Sequence, residues 1–438
     1  MYMSRPQIIT AIDLGTDKCT TLIATLDEET NQLQVKGVAA VPSQGIRKSQ
    51  IVDLEKAVST MTESLDAAER MAGFDVKSAY VSVSGVHIKS QNSKGVVAVA
   101  SPNQEITQLD VERVIEAARA ISLPADRTVI HVIPRDFKVD SQDGIKDPVG
   151  MNGVRLESEA HIITGMTTAL KNLEKCVQDL GLEVDGFVFS GLAAAEVVVS
   201  ETERELGVVV VDIGAGSTSI SVFVEGTLEL SAALPIGARH ITQDIALGCR
   251  VSLETAEKIK LSLTKNNTST MKPRPGENKE EFSKRKKKID IINPSDLGVY
   301  ETVENLSKKK IVEGIMIPRM KEIFSMVSKV LDQNNLMPVV PAGIIISGGG
   351  AETIEIKEVA KRVLNLPARI GMPKEIKGLT MDIHKPSFIN SIGLLEYGRQ
   401  RGSKKTSGGG IKLGSIFKSI FGKNPFEKIS SLFKSLMP

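Results

Sequence analysis

The apolar and polar positions of the chain are most informative over Val208 to Phe223, VVVVDIGAGSTSISVF. Four β-branched residues lead into Asp212, a Gly-Ala-Gly turn follows, and Ser217 to Phe223 returns to a strand pattern. A short apolar run bounded by glycines predicts a buried strand. The same order recurs at Ile8 to Ile23, IITAIDLGTDKCTTLI, where Asp13 matches Asp212 and Gly15 matches Gly214. Cys19 to Leu26 stays β-like up to the polar turn Asp27-Glu28-Glu29, so each turn predicts a hairpin. A P-loop or dinucleotide turn would feed a helix instead, and neither GxxxxGKS/T nor GxGxxG occurs. An Asp-x-Gly-x-Gly turn exposes backbone N–H groups with no Cβ to hold an anion away. A Mg-phosphate group is its natural ligand, the carboxylate facing the metal and the amides facing oxygens. Two copies imply two halves closing on one ligand.

Helical spacing predicts further elements. Asp53 caps a helix to Met71 with Leu54, Ala57, Val58, Met61, Leu65 and Ala68 on one face and Gly73 at its end. From Val81 to Gly153 short alternating strands flank one helix, which starts at Thr107-x-x-Asp110 and repeats Val111, Val114, Ile115, Ala118 and Ile121. This reads as a compact two-layer α+β insert. Leu192 to Glu201 carries Ala193-Ala194-Ala195, small enough for a helix crossing between lobes. After the turn Pro235-Ile236-Gly237 come two helical patterns, the second capped by Ser252 and placing Glu257 and Lys260 on one face. Residues 265–294, with the run Lys284 to Lys288, read as a solvated or disordered loop, a partner or lipid contact being the other reading. A helix is expected around Val312 to Val330, a strand at Ile344 to Ser347 entering Gly348-Gly349-Gly350, and helices at Glu352 to Leu364 and Ser391 to Gly398.

Composition narrows the class. With 438 residues, two to four domains are expected; charge and apolar content are those of a globular protein, and a net charge of +2 identifies no partner. Cys19, Cys176 and Cys249 fit neither a disulfide framework nor a zinc site. Met1 to Pro6 has no apolar targeting segment, and no apolar run reaches the ~18 residues of a membrane span. A reduced, cytoplasmic protein is the expectation.

The end of the chain changes that picture. Gly402 to Gly410, GSKKTSGGG, reads as a flexible linker with a reach, through Gly414, on the order of 20 Å. Ser415 to Pro438 then places Ile416, Phe417, Ile420 and Phe421 on one helical face. Beyond Asn424-Pro425 a second face collects Phe426, Ile429, Leu432, Phe433, Leu436 and Met437, with Lys428 and Lys434 off it. Bulky apolar residues opposed by lysines suit the surface of an anionic membrane, where each lysine adds ~1 kcal/mol. A partner's groove or the protein's own core are the other surfaces such a helix fits.

Five motifs in this order resemble the actin-like ATPase superfamily. Asp13 to Thr16 and Asp212 to Ser217 are similar to its two phosphate motifs, and Ser190 to Glu196 and Ser387 to Gly393 to its connecting motifs. Ile344 to Ala351 is similar to its adenosine motif. Within it the chain resembles the FtsA family of bacterial cell-division proteins, through His131 to Pro134 and Asp140, Asp147-Pro148-x-Gly150-Met151, Leu234 to Gly237, His240 to Ile245 and the linker and tail. The resemblance implies an α/β, actin-like (ribonuclease H-like, duplicated) two-lobed fold with an inserted α+β subdomain and a C-terminal amphipathic helix. Residues 1–80 and 163–205 would form the first lobe, 81–162 the insert, and 206–246 with 318–398 the second lobe. Residues 247–317 would form a small subdomain, 399–414 a linker and 415–438 the membrane segment.

By position the resemblance also implies roles and partners. Asp13 and Asp212 would face Mg2+, and Gly15, Thr16, Asp17, Lys18, Gly214, Ala215, Gly216, Ser217 and Thr218 would hold the phosphates of ATP. Gly237 would approach the nucleotide by backbone, Glu257 and Lys260 would lie near ribose and adenine, and Gly348, Gly349 and Gly350 would line the adenosine pocket. Ser190-Gly191 stands where chaperone ATPases carry a water-orienting carboxylate, so at most slow hydrolysis is expected. The expected protein polymerises at the cytoplasmic membrane face of the division site. Its partners would be FtsZ, its own copies, other division proteins and anionic lipid, with no nucleic acid. A pilus-assembly actin homologue and a small-molecule kinase or phosphatase of the superfamily are the competing readings.

Overall fold

The two Asp-Gly stretches fold as two copies of one sheet in a computed structural model. The structure describes residues 7–27, 29–101, 103–265, 278, 281, 290–292, 297–298, 306–373, 376–378 and 383–406. In the first copy β1 (Gln7–Leu14), β2 (Lys18–Asp27) and β3 (Gln32–Pro42) form an antiparallel meander. On the other side of β1, β6 (Ser78–Val83) and β11 (Glu183–Phe189) add in parallel, while β19 (Lys377–Gly378) edges β3. In the second copy β12 (Val208–Ile213), β13 (Thr218–Val224) and β14 (Thr227–Leu234) form the meander, and β17 (Ile344–Ser347) and β18 (Ala368–Ile370) add in parallel. The duplication read from sixteen residues therefore extends to whole sheets.

Burial explains the unbroken apolar run of β12. Val209, Val211 and Ile213 join the core with Ile323 and Phe324 of α9 (Ile317–Gln333) and Val359 of α10 (Ile356–Leu364). The alternate residues Val208 and Val210 are equally buried on the face toward α4 (Ser190–Val198). A strand covered on both faces has no polar side to offer, hence no alternation. Each fully buried Val or Ile contributes roughly 1.5–3 kcal/mol.

The other helices follow their signals. In α1 (Leu54–Ala72) Asp53 accepts from the Lys56 amide, and Gly73 closes the helix in the left-handed conformation. In α2 (Gln108–Arg119) Thr107 and Asp110 form a reciprocal capping box. Ile121, read as part of this helix, lies beyond its end. Of the remaining helices, α3 (Thr167–Asp179) packs against α1 and β11 beside the first sheet, α5 (Glu201–Leu206) packs against β13, and α6 (Ala238–Cys249) and α7 (Leu253–Lys265) flank the second sheet.

The insert is a four-stranded sheet, β7 (Lys89–Ala98), β10 (Arg155–Met166), β8 (Arg127–Val139) and β9 (Gln142–Ile145) in that order, with α2 packed on it. Val81 to Val83, grouped with the insert from sequence, instead pairs with β1 and β11 in the first sheet. Local alternation is the same in either sheet, so only the pairing partner decides this.

Three other boundaries differ from the sequence reading. Val312 to Met316 forms a π-turn ahead of α9, because Pro318 has no N–H to give to the preceding turn. Gly349–Glu352 is a 3-10 turn, and α10 begins only at Ile356 after Glu355 adopts φ 64°. The last helix, α11 (Ile389–Thr406), carries through Arg399 to Thr406, the expected start of the linker. The two-stranded pair β15 (Ile291–Ile292) and β16 (Leu306–Ser307) precedes a short helix α8 (Lys308–Ile311). Most of the basic loop 265–294 and all of the amphipathic tail 415–438, including Ile416, Phe417, Ile420, Phe421, Phe426, Ile429, Leu432, Phe433 and Leu436, lie outside the described residues. No helix among the described residues is long and apolar enough to cross a membrane.

Candidate functional site

The two aspartates are held by matching devices. Each following turn closes with one backbone bond, Gly15 N to Lys18 O at 3.0 Å and Gly214 N to Ser217 O at 2.9 Å. Each parallel neighbour strand supplies a serine: Ser82 Oγ donates to Asp13 Oδ1 at 2.5 Å, and Ser347 Oγ donates to Asp212 Oδ1 at 3.2 Å. From the start of α11, Asn390 Nδ2 donates to Asp212 Oδ2 at 2.9 Å. The matches end at the last turn residue, where Lys18 stands in one copy and Ser217 in the other. The Lys18 ammonium lies 3.7 Å from the centre of the Phe388 ring, a cation–π contact.

The electrostatics of this group ask for a cation. Burial raises the Asp13 carboxyl above its ordinary range, against the Ser82 bond and the Lys18 charge. Burial pushes Asp212 up to about 6, the neighbouring Asp13 adding to it while Asn390 and Ser347 oppose it. Burial likewise lowers Lys18, although Asp13, Glu352 and Asp17 favour its charge. Two neighbouring like charges, Asp212 buried and Asp13 half-buried, with one partly compensating ammonium suit a hard divalent ion. Among the described residues Asn390 Oδ1 and Glu352 Oε1, both on residues of the same cleft, are buried without a hydrogen-bond partner. No cluster of three or more His, Cys, Asp or Glu among the described residues could hold a metal. A cation here would take much of its shell from water or from a ligand's oxygens, which fits Mg2+ with a phosphate group.

Between the lobes lies a cleft of about 880 Å3, the size of a small-molecule or cofactor site. It gathers Asp13, Gly15, Thr16, Asp17, Lys18, Asp212, Gly214, Ala215, Ser217, Glu257, Lys260, Gly348, Gly349 and Gly350. Far apart in sequence, these expected site residues therefore face one space. At one end Lys260 Nζ donates to Glu257 Oε2 at 2.8 Å and to Thr242 Oγ1 at 2.9 Å, and the Thr242 hydroxyl donates to Glu257 at 2.6 Å.

Gly216, Thr218 and Gly237 do not line it. The Thr218 hydroxyl donates instead to Ile236 O at 2.8 Å and is fully buried. A Cβ on Gly237 would stand 2.4 Å from Gly214 O, so this glycine lets α6 start directly against the second turn. Ala238 N and Arg239 N donate there to Gly214 O and Ala215 O, both at 2.9 Å.

Sequence reading missed several cleft residues: Ser49, Ser82, Ser84, Arg239, Leu253, Leu261, Glu352 and Asn390. For Ser82 a signal existed, since Val81-Ser82 and Ile346-Ser347 stand at equivalent places beside the two aspartate strands and become visible once the two halves are aligned. Ser49 offers none, because it stands on a two-residue turn without glycine. Ser190, at the head of α4, lies 2.9 Å from Ser219 Oγ and brings no carboxylate to the cleft.

A family profile described as "Cell division protein FtsA" matches residues 209–393, and one described as "SHS2 domain inserted in FTSA" matches residues 85–164. Among solved structures, the PilM-PilN type IV pilus biogenesis complex superposes with a TM-score of 0.60 at 14% identity, covering 89% of this chain and 98% of that one. MreB5 of Spiroplasma citri, bound to ADP, does so with a TM-score of 0.51 at 14% identity, covering 92% and 99%. Such identities speak for the fold alone, and that fold is the duplicated actin-like one. Cell division protein FtsA of Pseudomonas aeruginosa is 36% identical over 397 residues, 91% of this chain and 90% of that relative. Agreement at that level over nearly the full length of both chains places this chain in the FtsA family of cell-division proteins.

Proposed function

We propose that the chain binds ATP with Mg2+ in the cleft, polymerises at the cytoplasmic face of the membrane at the division site, and ties FtsZ filaments and other division proteins to it. The observation that carries this reading is the meeting of both Asp-Gly turns on one space, each aspartate held by a serine of the adjoining strand. In this reading Asp13 and Asp212 hold Mg2+ largely through its waters, and the ion supplies neutralisation of phosphate charge. The amides and hydroxyls of both turns orient the phosphates, Lys18 adds charge, and Glu257 and Lys260 take the adenosine end beside the triple glycine. Ser190 cannot act as a base toward water, so turnover is slow and bound nucleotide acts as an assembly switch.

The tail sequence supports the membrane part of the reading. One short amphipathic helix binds weakly, whereas many along a filament bind firmly through avidity. FtsZ would dock within Leu247 to Ile317, where Leu247 leaves 78% of its surface exposed. Co-sedimentation with ATP, anionic liposomes and FtsZ, each omitted in turn, tests the whole proposal. The full chain should pellet with liposomes and bring FtsZ down, and removal of Ser415 to Pro438 should abolish both. Unchanged liposome pelleting without those residues would remove the tether from the proposal. Rapid turnover of a small phosphate acceptor without any pelleting would replace it by an enzyme.

A further inference from the structure

Between β3 and α1 the chain makes a miniature hairpin, β4 (Ile46–Arg47) and β5 (Gln50–Ile51), joined by Lys48 and Ser49. Both joining residues are left-handed, with φ 49° and 59°. A two-residue hairpin turn of type I′ demands this and is ordinarily built from Asn-Gly, which adopts it at little steric cost. Lys and Ser persist there only where surrounding contacts over-determine the backbone, and such strain concentrates at functional positions.

Those contacts come from both phosphate-type turns. Ser49 N donates to Thr16 Oγ1 at 2.9 Å, and Ser49 Oγ lies 2.7 Å from Ser217 Oγ. Gly216 is so close that a Cβ on it would stand 2.6 Å from Thr16 Oγ1 and 3.0 Å from Lys48 Cα. The turn is thus wedged between the lobes, with Ser49 on the wall of the cleft.

The second turn touches both the start of α6 and the Lys48–Ser49 turn. Its Gly214 and Ala215 touch the start of α6, and Thr242 of α6 joins Glu257 and Lys260 of α7. Its Gly216 and Ser217 touch Lys48 and Ser49. A nucleotide with its adenosine beside α7 and its phosphates along the turn would present its last phosphate to Ser49. A hydroxyl has one donor and two acceptor sites, so Ser49 can accept from Ser217 while donating to a phosphate oxygen.

We propose that the Lys48–Ser49 turn reads the terminal phosphate, the Ser49 hydroxyl bonding it in a nucleoside triphosphate and having no phosphate partner in the diphosphate. This rests on the nucleotide reading of the cleft, and the strain is what holds the hydroxyl at that point. Affinities of the full chain for ATP and for ADP, each with Mg2+, are measured by competition against a fluorescent ATP analogue. Wild type is compared with Ser49→Ala and Ser49→Gly, and thermal melting confirms that each is folded. Ser49→Gly accepts φ 59° freely and so separates loss of the hydroxyl from backbone misfit. Both variants should bind ATP about tenfold more weakly, the scale of one charge-assisted hydrogen bond, with ADP affinity changed less than about twofold. An ATP-to-ADP affinity ratio unmoved in Ser49→Gly, whether both affinities fall or neither does, overturns the assignment while leaving the nucleotide reading intact. A wild-type chain that binds neither nucleotide overturns both.

Discussion

Asn390 donates its side-chain amide to Asp212 Oδ2 at 2.9 Å, joining residues 178 positions apart. The bond helps hold charge on a carboxyl that burial pushes up to about 6. Asn390→Leu should lower unfolding free energy by about 1–3 kcal/mol, the usual cost of stripping a donor from a buried acceptor. Asn390→Asp should cost more, since it sets a second acid beside Asp212. Urea unfolding reads both, and midpoints equal to wild type would contradict the role given to Asn390.

His161, on β10, is fully buried between the insert and the second sheet. Its Nδ1 lies 2.6 Å from Asn92 Oδ1 and its Nε2 3.0 Å from Ser231 Oγ, a pattern that suits the neutral ring. Burial, with Arg135 nearby, holds its pKa down at about 3 against an ordinary 6.5. Below pH 6.5 the unfolded chain takes up a proton that the native ring refuses, so stability falls as pH falls toward 3. Its slope is about 1.4 kcal/mol per pH unit once the unfolded histidine is fully charged. His161→Gln should flatten this component of the urea midpoint between pH 7 and 5; an identical pH profile in the variant would show that the ring is not the titrating group.

Gly393 sets how closely α11 crosses α4. A Cβ there would stand 1.9 Å from Ala193 O, a backbone atom with nowhere to go. Gly393→Ala should therefore cost about 1–3 kcal/mol or more, as overpacked core positions do. A melting temperature equal to wild type would mean that the crossing is looser than this distance indicates.

Lys260 provides a contrast with Ser49. Its ammonium is bonded to Glu257 and Thr242 at the α7 end of the cleft, away from the turn that holds Ser49. Lys260→Ala should weaken ATP and ADP by a similar factor, about tenfold or more for one charged hydrogen bond. Selective loss of ATP alone would place Lys260 at the phosphate end and reverse the order of the cleft.

Local chemistry made much of this legible. The Asp53 cap, the Thr107 and Asp110 box and the paired Asp-Gly turns depend on residues within a few positions of one another, and each forms as its signal implies. The strand at Val81 was legible as a strand but not as a member of the first sheet, since alternation carries no record of a pairing partner. Thr218 sat in the right motif yet turned its hydroxyl to Ile236, because neighbours on a strand point to opposite faces.

The sequence by itself determined the duplicated hairpins, the two aspartates with their glycine turns, and the apolar strands that must be buried, because strand period, turn geometry and burial are local or compositional constraints. Tertiary structure alone decided that Ser82, Ser347 and Asn390 would serve those aspartates, and that a strained turn at Ser49 would be wedged between the halves. Those contacts span 33 to 178 residues. Such pairings arise only when strands and helices distant in sequence pack side by side, within each sheet for Ser82 and Ser347 and across the two halves for Ser49 and Ser217, and no periodicity along the chain encodes which polar side chains then meet.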